Sequence, residues 1–385
     1  MSETTNHGSV RDRSREDIYD LILESGGMTR SELAEATGIS RSAVTSAVGR
    51  LIREGRAVES EPDSKGPGSG SGRPANRITA VASGLPVAAM DFGHNHVWVA
   101  VADSLGNALG DSLTVIDVDY NATEAMDLAA AALDALRHEH GITTISNVVC
   151  GIPGPVDART GLVKSPTILS SWVGLSPAQE LGHRLGAPVH IENDAVLGAH
   201  GELRLGAGRH HKDFLYIKAS HGIGAGIVIG GKPFTGSTGI AGEIGHTQLP
   251  NNTELCRCGK RGCLETVVSV QSMRKQLQHT HPHLDVTQLD LSTLDDAISA
   301  RMLNEAGRTI GRVLADLCNL INPGAIIIGG ELGASGEALI DGVRSSVHRY
   351  AQPATAAALE ISAAELGTRA ELTGALQLAA WRAQR

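Results

Sequence analysis

From Arg13 to Leu23 the apolar residues Ile18, Leu21 and Ile22 recur at helical spacing, and the run stops near Gly26 and Gly27, which predicts a first helix. The stretch TRSE, Thr29 to Glu32, has the form of a capping box, so a second, short helix is expected to open there, turn Leu33 and Ala34 inward and break at Gly38. Ser40 can cap a third. Its Val44, Val48, Leu51 and Ile52 fall on one face and leave Arg41, Ser42, Thr45, Ser46 and Arg50 on the other. After Gly55 the pattern becomes RAVESE, then the loop PDSKGPGSGSGRP, then ANRITA, a hairpin with a flexible tip over residues 62–74. Helix, tight turn, helix and hairpin are the layout of a winged helix-turn-helix over residues 1–80. In that layout the short polar residues of the third helix reach base edges in a major groove, Arg50 and Arg53 meet phosphates, and Arg73 in the wing enters a minor groove.

From Leu85 onward strand and helix alternate. LPVAAMDFG, VWVAVAD, NVVCGIPGPV, APVHIEND, DFLYIKAS, GIVIGGKPF and AIIIGG read as strands, and the Ala-rich run Thr123 to His138 as a helix, which predicts an α/β protein with parallel sheet in two lobes. The stretch KASHGIGAG, Lys218 to Gly226, places three glycines at alternate positions where a strand could hand over to a phosphate-cradling turn.

Composition narrows the class. A chain of 385 residues with 41% hydrophobic content is long enough for two or three domains with real cores. No apolar run is long enough to span a bilayer, and the first residues lack a secretory core, so the expectation is a cytoplasmic protein with no membrane partner. The net charge of -9 is uneven: residues 1–80 hold 11 Lys/Arg against 12 Asp/Glu, whereas residues 41–77 hold 7 against 4. A small basic face on an acidic protein can bind DNA locally while the remainder repels it.

The strongest single signal is GIAGEIGHTQLPNNTELCRCGKRGCLE, Gly239 to Glu265. His246, Cys256, Cys258 and Cys263 supply one imidazole and three thiolates, the ligand set of a closed, structural Zn2+ site. Free thiols or a redox switch are the alternatives. Cys150 and Cys318, each inside an apolar stretch, read as core thiols. HTHPH, His279 to His283, reads as a solvated loop. Of two tryptophans near the expected cleft, Trp98 and Trp172, the second is the better candidate for stacking on a ligand.

GEIGH, CRCGKRGCLE, GIPGPVD and ENDA occur in the order and rough spacing of the ROK family, which this chain resembles from about Leu85 to its C-terminus. That family joins sugar kinases with sugar-responsive transcriptional repressors, and an N-terminal winged helix-turn-helix belongs to the repressor branch. The resemblance implies a two-lobed actin-like ATPase (RNase H-like) fold with sugar in the cleft. Its first lobe is expected over residues 85–195 and its second over 196–369, with a C-terminal helix of about 370–385 returning to the first. It also implies Asn193 and Asp194 as sugar ligands, Asp194 standing in the place of the kinase general base. Glu243, His246 and Glu265 are further contacts, and Gly154 is a backbone contact. Carboxylates and one amide can grip several hydroxyls at once. Without the family, ENDA is a weak motif that reads as a strand-end turn.

Two segments depart from the kinase pattern. DFGHNH, Asp91 to His96, stands where kinases resemble DIGGTK, and SHGIG, Ser220 to Gly224, where they resemble GTGIG. Side chains replace glycine and threonine where backbone amides and a hydroxyl would meet phosphate. IIIGGELG, Ile326 to Gly333, on the adenosine side, is retained. The expectation is a repressor that binds operator DNA as a homodimer or homotetramer and binds sugar in a cleft that no longer phosphorylates it. The alternatives are an active ATP-dependent sugar kinase with a DNA-binding domain, or a regulator whose effector is the metal itself.

Overall fold

The fold is described from a computed structural model, over residues 10–60, 76–82, 84–157, 162–163, 169–286 and 289–384. The chain divides into two compact units, one comprising Met1–Leu85 with Asp103–Leu105, the other Pro86–Ala102 with Gly106–Arg385.

In the N-terminal unit, α1 (Val10–Ser25), α2 (Arg30–Thr37) and α3 (Arg41–Arg53) pack over a three-stranded sheet made of β1 (Met28–Thr29), β2 (Ala57–Ser60) and β3 (Arg77–Ala80). The Thr29 hydroxyl accepts from the Glu32 amide at 3.3 Å while the Glu32 carboxylate accepts from the Thr29 amide at 2.7 Å, a complete capping box. Gly38, at φ 69°, closes α2, and Ser40 caps α3 through the Ala43 amide at 3.3 Å. Ile18, Ile22, Leu33, Val44, Val48, Leu51 and Ile78 are fully buried between them. The wing strands β2 and β3 pair antiparallel, Ala57 opposite Ala80 and Ser60 opposite Arg77. Met28 and Thr29 add a strand that the sequence pattern did not predict, on the far side of β3. Arg56 is held by Glu16 through two bonds of 2.9 Å and lies over the Tyr19 ring at 3.9 Å, and Arg30 chelates Glu59, so these two arginines brace the fold.

The second unit repeats one sheet topology twice. In the first lobe β4 (Val87–Phe92), β5 (His96–Ala102), β6 (Ala108–Val115), β7 (Val148–Ile152) and β8 (Val189–Asn193) form a sheet in the order β6-β5-β4-β7-β8. In the second lobe β9 (Phe214–Ala219), β10 (Ile223–Ile229), β11 (Lys232–Pro233), β12 (Ala325–Gly329) and β13 (Glu360–Ala363) follow the same order, β11-β10-β9-β12-β13. In each, the first three strands are antiparallel and the last two join in parallel. This is the actin-like architecture. The strands buried on both faces are β4, β7 and β12, runs that the sequence announces as apolar but for Asp91 in β4. The edge strand β6 was not predicted; it faces solvent, and Val115 is 76% exposed.

Helices α4 (Ala122–Glu139) and α5 (Pro177–Leu185) cover one face of the first sheet. In the second lobe, α7 (Glu265–Val268) and α8 (Val270–Thr280) precede the long α9 (Ala297–Ile321), which packs with α11 (Glu337–Tyr350) on Leu215, Ile217, Ile326 and Ile328. The short α10 (Gly330–Gly333) and α12 (Pro353–Ala358) complete it. Cys150 and Cys318 are buried in these cores. Trp172 is also fully buried, edge-on to Phe92 at 5.2 Å with its indole N–H on the Val118 carbonyl at 2.9 Å, so it belongs to the core and cannot stack on a ligand.

Two helices lie between the sheets. α6 (Asp194–Leu205) leaves β8, and α13 (Ala370–Ala383) packs its Leu372, Ala375, Leu376 and Ala379 on Val87, Ala89, Ala100 and Val149 of the first lobe. They cross backbone to backbone: a Cβ on Gly374 would stand 1.8 Å from the Leu197 carbonyl oxygen, so only glycine fits. Among the described residues no helix is long and apolar enough to cross a membrane.

Candidate functional site

Between the lobes of the second unit lies a cavity of about 470 Å³, and Gly154, Asn193, Asp194, Glu243, His246 and Glu265 all line it. Asn193 ends β8 and caps α6, its Oδ1 accepting from the Ala195 and Val196 amides at 2.9 and 3.2 Å while its Nδ2 donates to the Gly154 carbonyl at 3.3 Å. Asp194 opens α6, where the helix dipole favours a carboxylate. Its Oδ1 accepts from the Ala195 amide at 2.7 Å and its Oδ2 from Lys218 Nζ at 2.8 Å.

Lys218 anchors a cluster that sequence reasoning missed. It sits on β9 with Asp194 on one side and Glu371, at the start of α13, 3.9 Å away; Tyr216 donates to Glu371 at 3.0 Å. Asp91, at the end of β4, takes His96 Nε2 at 3.2 Å, and its Oδ1 is buried with no hydrogen-bond partner. Burial opposes the charge on Lys218, but Asp194, Glu371 and Asp91 outweigh it and hold the ammonium above its usual range. Burial pushes the Glu371 carboxyl up to about 7, with Lys218 offsetting only part of that rise. The available signal was a lysine inside the otherwise apolar strand FLYIKA, because a buried cation needs partners.

The two segments read against the kinase pattern are well defined. The His94 ring bonds Asp119 at 2.7 Å, and the His96 ring folds over the turn so closely that a Cβ on Gly93 would come within 2.1 Å of it. The second segment corrects the reading of KASHGIGAG. The turn is confined to Ser220–Gly222, closed by a 3.0 Å bond from the Ser220 amide to the Gly222 carbonyl, whereas Gly224 and Gly226 lie inside β10 opposite Lys218 and Tyr216. Gly226 is there for α6, since a Cβ would stand 2.3 Å from the Ala195 carbonyl oxygen. Trp98 lines the cavity where Trp172 does not.

Two histidines near this region are neutral when folded. Burial lowers His221, on the cavity wall, to about 4, and His200, on α6, to about 3. Both values lie below the usual value of about 6.5. Their stabilising contribution is therefore full above pH ~6.5 and is lost as pH falls through the folded values. Glu371 works the other way: its contribution is full below its unfolded value of about 4.5 and is lost as pH rises toward 7. Burial raises Glu243 and Glu331 in the same sense as Glu371. The deficit in urea midpoint of His200→Gln relative to the parent protein is expected to be larger at pH 7 than at pH 5, because the buried neutral imidazole contributes fully only above its unfolded value, and a deficit that grew as pH fell would contradict this.

His246, Cys256, Cys258 and Cys263 bring one imidazole nitrogen and three sulfurs within 4.8 Å of one another, a group that could hold a metal ion. Zinc held tetrahedrally at about 2.3 Å from sulfur and 2.0–2.1 Å from nitrogen sets sulfurs ~3.8 Å apart and sulfur ~3.6 Å from nitrogen. Cys258 and Cys263 are 3.7 Å apart, and Cys256 stands 3.6 Å from His246 Nδ1. The donor set fits. The other imidazole nitrogen faces Glu243 at 3.7 Å, and Glu265 lies 2.9 Å from Cys256 Sγ, so the metal group backs the cavity wall. From the same loop Arg257 crosses to Asp119 of the first lobe at 2.8 Å, the carboxylate that also holds His94. His279 to His283 enter no such group among the described residues; His281 faces Asp296 at the start of α9, at 3.4 Å.

On the N-terminal unit, Arg41, Ser42, Thr45 and Ser46 are exposed on α3 and Arg50 is half-buried, while Arg73 and the wing tip 62–74 lie outside the described residues.

A duplicated actin-like fold with a carboxylate-lined cleft, joined to a winged helix-turn-helix, defines the class. Residues 87–382 match the ROK family and residues 11–56 the winged helix-turn-helix DNA-binding family; the chain belongs to the ROK family. It is 28% identical over 361 residues to the xylose repressor of Bacillus spizizenii, covering 92% of this chain and 91% of that one. It is 30% identical over 311 residues to the glucokinase of Streptomyces coelicolor, covering 75% of this chain and 96% of that one. Among solved structures, a ROK family transcriptional regulator described as a homolog of the E. coli MLC protein shares the fold, with a TM-score of 0.75, 22% identity and 97% of each chain covered. Relatives thus include both a repressor and a kinase.

Proposed function

We propose that the protein is a sugar-responsive transcriptional repressor of the cytoplasm, a homodimer or homotetramer whose affinity for operator DNA changes when sugar fills the cleft. The observation that carries the reading is the 2.8 Å ion pair between Lys218 and Asp194. A kinase base must take a proton from the attacking sugar hydroxyl, and here one oxygen of that carboxylate is engaged by an ammonium and the other by a backbone amide. His94 and His96 crowd the turn where a phosphate would need bare backbone, and a misplacement of about 1 Å costs about 100-fold in rate. Likeness to a xylose repressor along 92% of the chain supports the same reading. Gly154, Asn193, Asp194, Glu243, His246 and Glu265 would hold the hydroxyls, and a structural Zn2+ on His246, Cys256, Cys258 and Cys263 would keep GEIGH aimed at them.

The retained Asp194 and the likeness to a glucokinase favour the second reading, an active sugar kinase with a DNA-binding unit. A coupled ADP-release assay with a panel of aldoses decides between them: the repressor reading expects no turnover above background, and turnover abolished by Asp194→Asn would favour the kinase.

The DNA side is tested on an operator selected from random-sequence DNA. Ser46→Ala is expected to relax base preference at one position per half-site, by about 1–3 kcal/mol. Arg50→Ala is expected to weaken all sequences alike and to reduce the dependence of log K on log salt by about 1 per subunit. Unchanged binding in both variants would contradict the placement of α3 on DNA.

A further inference from the structure

We infer that the effector is an uncharged sugar and that the cleft rejects its phosphate ester; the inference rests on the reading of this cleft as the effector site. Seven carboxylates line the cavity, and the permanent cations among its lining residues are Lys218 and Arg274. Neither is free. Lys218 is shared between Asp194 at 2.8 Å and Glu371 at 3.9 Å, and Arg274 donates to Glu331 at 2.8 Å and to the Leu289 carbonyl at 3.2 Å.

The imidazoles do not make up the deficit. His94 is committed to Asp119 and His96 to Asp91, His246 faces the thiols of the metal group, and burial keeps His221 neutral at pH 7. A phosphate dianion on this wall meets seven carboxylates, and both cations are already held in ion pairs. The buried Arg274 Nε, without a partner among the described residues, can donate to a neutral sugar oxygen as well.

The same wall suits hydroxyls. A carboxylate only accepts, and a sugar hydroxyl can donate. Asp91 makes the demand specific: it is 3% exposed, lines the cavity, and its Oδ1 has no partner among the described residues. A buried acceptor without a donor is costly, and one hydroxyl hydrogen satisfies it. A phosphate oxygen, itself an acceptor at neutral pH, cannot.

The test is calorimetric titration of the metal-replete, full-length protein at fixed ionic strength with a panel of aldopentoses and aldohexoses, each beside its terminal phosphate ester, and with inorganic phosphate alone. The parent sugar of the binding pair is expected to bind at least about 100-fold more tightly than its ester, and inorganic phosphate not to compete. Glu331→Gln, which frees Arg274, is expected to narrow that gap about tenfold, whereas Asp91→Asn, which turns an acceptor-only group into an amide, is expected to weaken the neutral sugar. An ester bound as tightly as its parent sugar would overturn the inference and leave the repressor reading standing. Failure of every sugar and every ester to bind would overturn both.

Discussion

Cys258→Ser is expected to lose its bound zinc and, with it, every effect of sugar on operator affinity, while DNA binding by the N-terminal unit persists. A serine hydroxyl is not an anion at neutral pH, so three donors would remain from a set whose spacings, 3.6 and 3.7 Å, match a closed tetrahedral site. Structural zinc sites supply about 10–16 kcal/mol in small peptides, so an ion held here would contribute strongly to the local fold. What a metal would fix is visible around the group: Glu243 and Glu265 flank the imidazole on the cavity side, and Arg257, between two of the cysteines, ties the loop to Asp119 of the first lobe. Release of the loop therefore removes two carboxylates from the wall and one bond between lobes at once. Metal content by atomic emission, beside operator titrations with and without sugar, reads both effects. A variant with less than about 0.1 zinc per chain and a full sugar response would refute the role given to the metal.

Lys218→Met is expected to destabilise the ROK domain by about 3–5 kcal/mol, the cost of leaving a buried charge cluster without its counter-ion. The loss is expected to depend on pH. With the ammonium gone, Glu371 loses the charge that offsets part of its rise and Asp91 loses one of the two groups that lower it, and an acid whose folded-state value moves up loses stability as pH rises. The deficit relative to wild type is thus larger at pH 8 than at pH 5, and Glu371→Gln in the same chain recovers part of it. Urea denaturation across that range measures both. A deficit below about 1 kcal/mol, flat with pH, would show that the cluster is solvated. The same variant frees Asp194, so an ADP-release assay on it also asks whether the ion pair is what withholds the base.

Much of this molecule was legible in its sequence because local chemistry decided it. TRSE needs only four residues to state a capping box, Ser40 needs three more to cap α3, and the strands β7 and β12, like β4 apart from Asp91, are apolar because both faces are covered. The cysteine segment carried its ligand set in one loop. What was not legible depends on partners far along the chain. Lys218 acquires its meaning from Asp194 and from Glu371, which lies on the last helix. Gly226 is required by α6, and nothing beside it in sequence says so. Trp172 and Trp98 look alike as residues, and only the packing of Phe92 sends the first into the core. The edge strand β6 alternates but buries little, so its pattern gave no apolar run to find.

The account stands on a cleft that grips an uncharged sugar without transferring phosphate and reports its occupancy to DNA. Operator affinity of the zinc-loaded protein, measured at one salt concentration with and without the neutral sugar and with ATP present throughout, tests it most directly. The predicted result is a change of about 5- to 150-fold in operator affinity with no release of ADP. An affinity indifferent to every sugar, beside steady ADP release that requires Asp194, would contradict it.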